Sequence, residues 1–330
     1  MRRMKQNFQR IYRSNLPQLA TLGISLLLLG CFPSGSMAQQ KGQETFRTAH
    51  QASRALFLAV QSDDEKALLA ILGPEGKQIT SSGDAAEDAR NRIDFASKYM
   101  ELHRLVKEPD GTVTLYIGAE NWPTPIPIVE KAGVWFFDTE KGKEEIVMRR
   151  VGHNELSAIR VCQELVSAEK EYYSEEHNVY AAKFISDGGQ QNGLYWAGKA
   201  PESPIGPLVA DASTTEADMS RKDEPNGPLP FRGYFFRVLT RQGKDAPGGA
   251  KDYIADGKMT GGFAFTAYPA EYRNSGVMTF IVGADGVIYQ KDLGEKTVEL
   301  AKAMKEYNPD SSWQKVEEQM EQSADMQKTK

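Results

Sequence analysis

Apolar residues recur at helical spacing over positions 46–72, at Phe46, Ala49, Ala52, Leu56, Ala59, Val60, Leu68, Leu69 and Leu72, with the polar Ser62-Asp63-Asp64 between them. This pattern predicts two helices separated by a cap. Gly73-Pro74 ends the second, because Pro cannot extend a helix and Gly suits its C-terminus. Ser81-Ser82-Gly83-Asp84 offers a cap to a third helix, whose apolar side is Ile93, Phe95, Ala96 and Tyr99. Beyond Met100 the period shortens to that of strands. Asp110-Gly111 leads into the alternating stretch 112–117, 134–137 follows, and a Lys141-Gly142 turn leads into 145–148. The Pro-rich stretch 122–128 belongs at an edge or in a loop, since Pro cannot donate to a ladder.

Asn154 opens a second unit. Leu156, Ile159, Cys162 or Gln163, Leu165, Val166 and Glu169 follow at helical spacing as far as Tyr172 or Tyr173, and predict one long amphipathic helix with Glu164, Glu169, Lys170 and Glu171 on its polar side. Residues 186–230 read as loop, being rich in Gly, Pro, Ser and charge. Strands return at 234–239, 262–267, 277–282 and 287–290, the last two flanking the tight turn Ala284-Asp285-Gly286. A closing helix at 295–307 precedes the Pro309 break, Ser311 as a cap, and a helical, Gln-, Lys- and Glu-rich tail at 311–330. The whole predicts an α+β protein with an N-terminal α+β domain at 39–150 and a second at 151–310, in each of which helices cover one face of an antiparallel sheet. No repeat of fixed period is visible.

Charge changes the picture at the N-terminus. The chain of 330 residues carries 40 Lys plus Arg against 45 Asp plus Glu, but residues 1–38 hold five basic residues and no acid. The remainder has 35 basic against 45 acidic residues, too acidic to release phosphate counterions, so nucleic acid is excluded as a partner. The five basic residues precede the apolar run 19–30 and the small-residue site Ser36-Met37-Ala38, the layout of a secretory signal peptide. That run is shorter than the roughly 20 residues a membrane span needs. Two processing sites stay open: cleavage after Ala38, leaving Gln39 first, or a lipobox at Leu28-Leu29-Gly30-Cys31, which makes Cys31 a lipidated first residue and the only route to a membrane. In the first case Cys162 is the only thiol left, and no internal disulfide is expected.

Several motifs carry a family resemblance. Leu-Gly-Pro-Glu-Gly (72–76), Trp-Pro-x-Pro-Ile-Pro (122–127), Trp-Phe-Phe-Asp (135–138), Arg-Arg-Val-Gly-His-Asn-Glu-Leu (149–156), Gly-Leu-Tyr-Trp (193–196), Ala-Pro-Gly-Gly-Ala (246–250) and Tyr-Gln-Lys-Asp-Leu-Gly (289–294) resemble the exported bacterial proteins of domain-of-unknown-function family 2950. That resemblance implies export and assigns no activity. Asn154-Glu155-x-x-Ala158-Ile159, Ala168-Glu169 and Tyr172, with Gly233-Tyr-Phe-Phe-Arg and Asp285-Gly-Val-Ile downstream, are similar to the globular part of type IV pilin-like proteins, which implies a spine helix packed on an antiparallel sheet. The opening helices and the sheet ending in Gly-x-Trp-Phe-Phe-Asp (133–138) resemble the cone-shaped nuclear-transport-factor-like fold.

Candidate chemistry is sparse. His50, His103, His153 and His177 are isolated, so no metal motif and no cofactor is expected, and no phosphate loop, nucleophile elbow or dinucleotide fingerprint occurs. The catalytic candidates are His153, Glu155 and Asp138, a base with carboxylates that could orient it. The competing reading makes Asn154 a helix cap and Glu155 a first-turn acid favoured by the helix dipole. Cys162 falls on an apolar stripe, as an inert thiol would. Trp122, Trp135, Tyr195 and Trp196 could line a groove for a ligand, or pack the core. Pro247-Gly248-Gly249 reads as a turn. The expectation is a periplasmic or secreted protein, or a membrane-tethered lipoprotein, that acts as a non-enzymatic binding or assembly module of the cell envelope with an envelope protein or glycan as its partner. The alternative is a metal-independent envelope hydrolase with its site at the domain junction.

Overall fold

The Thr48 hydroxyl accepts the Gln51 N–H at 3.1 Å and starts α1 (Ala49–Gln61), which turns Ala49, Ala52, Leu56 and Ala59 inward. The computed structural model to which this helix belongs describes residues 39–80, 85–173, 178–198, 202–214 and 228–316. The export segment with Cys31, the cap expected at 81–84, His177 and residues 317–330 lie outside the described residues. Two compact units meet in sequence between Ile146 and Val147.

In the first unit Asp63 takes a left-handed φ of 53°, and Asp64 caps α2 (Glu65–Leu72) by accepting the Ala67 N–H at 2.9 Å. A 3-10 turn (Pro74–Gly76), α3 (Lys77–Thr80) and α4 (Ala85–Glu101) follow. The strands are β1 (His103–Lys107), β2 (Val113–Ile117), β3 (Trp122–Pro123), β4 (Ile128–Lys131) and β5 (Val134–Phe137), in the order β1-β2-β4-β5 with β3 also on β2. In β2 the alternation predicted from sequence sends Val113, Leu115 and Ile117 inward. Ala132 and Gly133 both have positive φ and close the β4–β5 hairpin in two residues. Leu56, Leu68, Ile71, Leu72, Ile128 and Phe137 form the core between helices and sheet.

Polar side chains lock this layer to its neighbours. Buried Gln43 donates to the carbonyls of Ile71 at 3.0 Å and Phe137 at 2.8 Å, joining the end of α2 to the end of β5. Phe46 exchanges both backbone bonds with Trp135 at 2.8 Å, which covers part of the outer edge of β5.

The strand expected at 145–148 is instead part of α5 (Thr139–Tyr172), one helix of 34 residues. Asp138 starts it by accepting the Lys141 N–H at 3.2 Å, and the Thr139 hydroxyl donates to the Leu72 carbonyl at 2.6 Å. Gly142 is therefore helical rather than a turn. A Cβ there would come within 2.8 Å of the Ile126 side chain, so close approach explains a residue that costs a helix about 1 kcal/mol relative to Ala.

In the second unit α5 buries Ala158, Val161, Cys162, Leu165, Val166, Ala168, Glu169 and Tyr172. A short α6 (Pro207–Asp211) precedes the strands β6 (Tyr234–Leu239), β7 (Arg241–Gln242), β8 (Lys251–Asp252), β9 (Ile254–Ala255), β10 (Lys258–Met259), β11 (Ala264–Pro269), β12 (Met278–Gly283) and β13 (Ile288–Asp292). Then come α7 (Thr297–Ala303), β14 (Glu306–Tyr307) and β15 (Gln314–Lys315). The main sheet is antiparallel in the order β15-β13-β12-β11-β6, with β14-β7-β8 forming a smaller sheet. Every residue of β11 is buried, so this sheet is covered on both faces. Ala301 of α7 packs with Phe235 and Tyr268 on one face, where the buried Arg237 guanidinium donates to the carbonyls of Ala301 and Lys302 at the negative end of that helix. The other face carries Tyr234, whose pKa is raised by burial and by nearby Glu155 and Cys162 of α5.

The closing helix expected at 295–307 is shorter, because Glu306 and Tyr307 pair in parallel with β7 and the Tyr307 side chain is buried. The start of the expected helical tail is a turn on Asp310 followed by an edge strand on β13. The fold is α+β.

Replacing Gln43 by Ala strands two buried carbonyls. A loss of about 2–3 kcal/mol is expected, read as a lower urea midpoint at unchanged slope; a loss below about 0.5 kcal/mol would show that the tie is dispensable.

Candidate functional site

Asp138 is a buried cap in the first unit. His153 and Glu155 lie in the second. They stand two residues apart on α5, a spacing that turns side chains away from each other. Glu155 Oε1 accepts the N–H groups of Val277 at 2.9 Å and Met278 at 3.0 Å, so its oxygen serves the sheet rather than an imidazole. Partial burial, then Arg232 and Arg160, lower the His153 pKa; the charges that act on this ring are cationic. Asn154 lies within the helix, not at its cap, and donates to the Ser275 carbonyl at 2.9 Å. Gly233, at φ 73°, leaves room for that amide: a Cβ would lie 2.6 Å from Asn154 Nδ2.

Trp122 is 39% exposed on β3, whereas Trp135 packs against the first-unit core. Tyr195 is half-buried, with its N–H on the Phe184 carbonyl at 2.7 Å, and its neighbour Trp196 is buried. The four aromatics thus divide between the two units, one pair in each. His50 is exposed, and His103 stacks on Tyr99 with ring centroids 3.9 Å apart. Among the described residues no group of three His, Cys, Asp or Glu side chains could hold a metal ion.

What the fold does assemble is a stripe on α5. Glu155, Cys162 and Glu169 are spaced by seven, which keeps them on one helical face. Cys162 is fully buried, and burial pushes its thiol up to about 12. Glu169 is also fully buried, although the sequence reading set it on the polar side. Its Oε2 accepts the Ala181 N–H at 2.9 Å, and its Oε1 is buried without a hydrogen-bond partner among the described residues. Burial pushes its pKa up to about 8, against the opposing pull of the Ala181 bond. The phenols of Tyr172 and Tyr180 feel this carboxyl, and both have raised pKa values, through burial first. Tyr172 donates to the Gln191 carbonyl at 3.1 Å, and Tyr180 stacks on Tyr173 and tilts against Phe263 at 4.9 Å. The seven-residue interval from Cys162, with Leu165 and Tyr172 flanking it at i−4 and i+3, was the signal that Glu169 faces inward.

A neutral acid sealed at the end of a helix can bind and release a proton, and with no exposure it cannot reach a substrate. Fold and site together define an α+β protein in which Asp138, Glu155 and Glu169 bond to backbone N–H groups. The family model described as Protein of unknown function (DUF2950) matches residues 43–316, and the chain belongs to that family. No curated protein and no solved structure matches it.

Two outcomes follow from this geometry. Glu155→Ala should cost about 2–3 kcal/mol in urea unfolding, because two backbone donors lose their acceptor, whereas Glu155→Gln keeps an oxygen and should cost less. Cys162 should resist a thiol reagent in the folded protein and react fully in guanidinium; rapid labelling of the native chain would contradict its burial.

Proposed function

We propose that this chain is exported and acts as a non-enzymatic binding or assembly module of the bacterial cell envelope, with an envelope protein or glycan as its partner. The observation that carries the non-enzymatic part is the use made of its acids. Asp138 caps α5, Glu155 serves β12, and Glu169 is sealed away. Export is supported by the basic, apolar and small-residue order of residues 1–38. Among the described residues no helix is long and apolar enough to cross a membrane. Lipidation at the lipobox-like Leu28-Leu29-Gly30-Cys31 is the proposed route to attachment. A helix laid on an antiparallel sheet suits an assembly role through the pilin-like likeness of the second unit.

The test is cell fractionation with mass spectrometry of the mature N-terminus, followed by co-sedimentation of the purified mature chain with isolated envelope glycan and envelope membrane protein. The expected result is a chain beginning at Gln39, or at a lipid-bearing Cys31, that is retained by one of these materials. A cytoplasmic chain that keeps residues 1–30, or a mature chain retained by neither material, contradicts the proposal.

A further inference from the structure

Within the second unit the segment 178–198 forms an arm with bonds of its own. The Tyr195 N–H donates to the Phe184 carbonyl at 2.7 Å, the Ser186 N–H to the Tyr195 carbonyl at 2.8 Å, and the Asn192 side chain closes a turn on Asp187. Two polar bonds tie the arm to α5: Ala181 N–H to Glu169 and the Tyr172 hydroxyl to Gln191. The arm also covers an aromatic face of the sheet side, with Tyr180 against Phe263 and Phe184 against Phe265 at 5.6 Å.

We propose that Glu169 is a proton-operated latch: as a neutral acid it lets the arm seat on α5, and on losing its proton it loosens the arm and uncovers Phe263 and Phe265. The geometry carries this. The carboxyl has no exposure, one donor serves Oε2, and among the described residues nothing serves Oε1. The described titratable groups that face it are Tyr172 from its own helix and Tyr180 from the arm, both of which stay neutral because their pKa values are raised. Burial and the Ala181 bond account for its shift, so among the described residues no cation offsets a negative charge there. An uncompensated buried anion is relieved by water, and water reaches Oε1 when the arm lifts.

The sign follows from linkage. In the seated arm the acid titrates at about 8, and in an open, hydrated arm at its ordinary value of 4.5. Seating is therefore most favoured at acidic pH and is lost as pH rises through this interval, at about tenfold per pH unit, levelling off above about 8.

Hydrogen exchange of the full mature chain tests it, with protection factors for 178–198 compared across pH 5 to 9 in wild type and Glu169→Gln. Arm protection in wild type is expected to fall about tenfold per pH unit up to about pH 8, while β11 and β12 stay protected, and the Gln variant, a neutral isostere, should be flat. Flat wild-type protection, or the same slope in the Gln variant, overturns the proposal. Should the Gln variant fail to fold, wild type alone decides: loss of β11 and β12 protection in step with the arm, or loosening towards acid pH, overturns it as well.

Discussion

The second unit depends on a plain constraint: a backbone N–H taken out of water must find an acceptor. Val277 and Met278 lie at the entry to β12, before its pairing with β11 begins at Phe280, and Glu155 accepts from both. Ala181 enters the arm with the same need, which Glu169 meets two heptads further along the same helical face. Between these carboxyls α5 offers Ala158, Val161, Cys162, Leu165 and Val166, all buried. The apolar stretch supplies attraction without direction, and the carboxyl at each end fixes where the helix sits along the sheet and the arm.

The two carboxyls differ because their surroundings differ. Burying an ionised carboxylate costs several kcal/mol, and a neutral polar group that lacks a partner costs about 1–3 kcal/mol. Glu155 receives two backbone donors, which oppose the effect of burial and of nearby Asp292 on its pKa. Glu169 receives one donor and, among the described residues, leaves an oxygen bare; burial raises its pKa, so the neutral form prevails there. In the first unit the corresponding ties are neutral. The Gln43 amide and the Thr139 hydroxyl satisfy carbonyls at the end of α2 and β5, so that unit holds its layers without a titrating group at those points.

Periodicity made much of the fold legible. The inward sets of α1 and β2 and the turn between β12 and β13 follow from spacing and turn chemistry, because each is decided by local steric and solvent preferences. The misread places are those where a distant partner decides. Residues 145–148 carry the β-branched Ile146 and Val147 and follow Gly142, yet the Asp138 cap and the fit of Gly142 against Ile126 make them helical. Asn154 resembles a cap, yet it sits mid-helix because the helix already starts at the Asp138 cap, and its amide goes to Ser275, more than a hundred residues away. A charged residue type placed Glu169 outside, although the heptad from Cys162 put it inside. Of the candidate residues, His153 and Glu155 were found by type, while their divergence on α5 follows only once the helix is known to run unbroken from Thr139.

The claim that the carboxyls of Glu155 and Glu169 hold α5 in the second unit is tested most directly by the pH dependence of three amide proton shifts in wild type, those of Val277, Met278 and Ala181. An N–H bonded to a carboxyl reports the protonation of that carboxyl. The Ala181 amide should titrate with a midpoint near about 8, and those of Val277 and Met278 together at a midpoint above the ordinary glutamate value of 4.5. Amides that ignore pH, or that all move near 4.5, would mean that neither carboxyl is bonded to its backbone donors in a shielded setting.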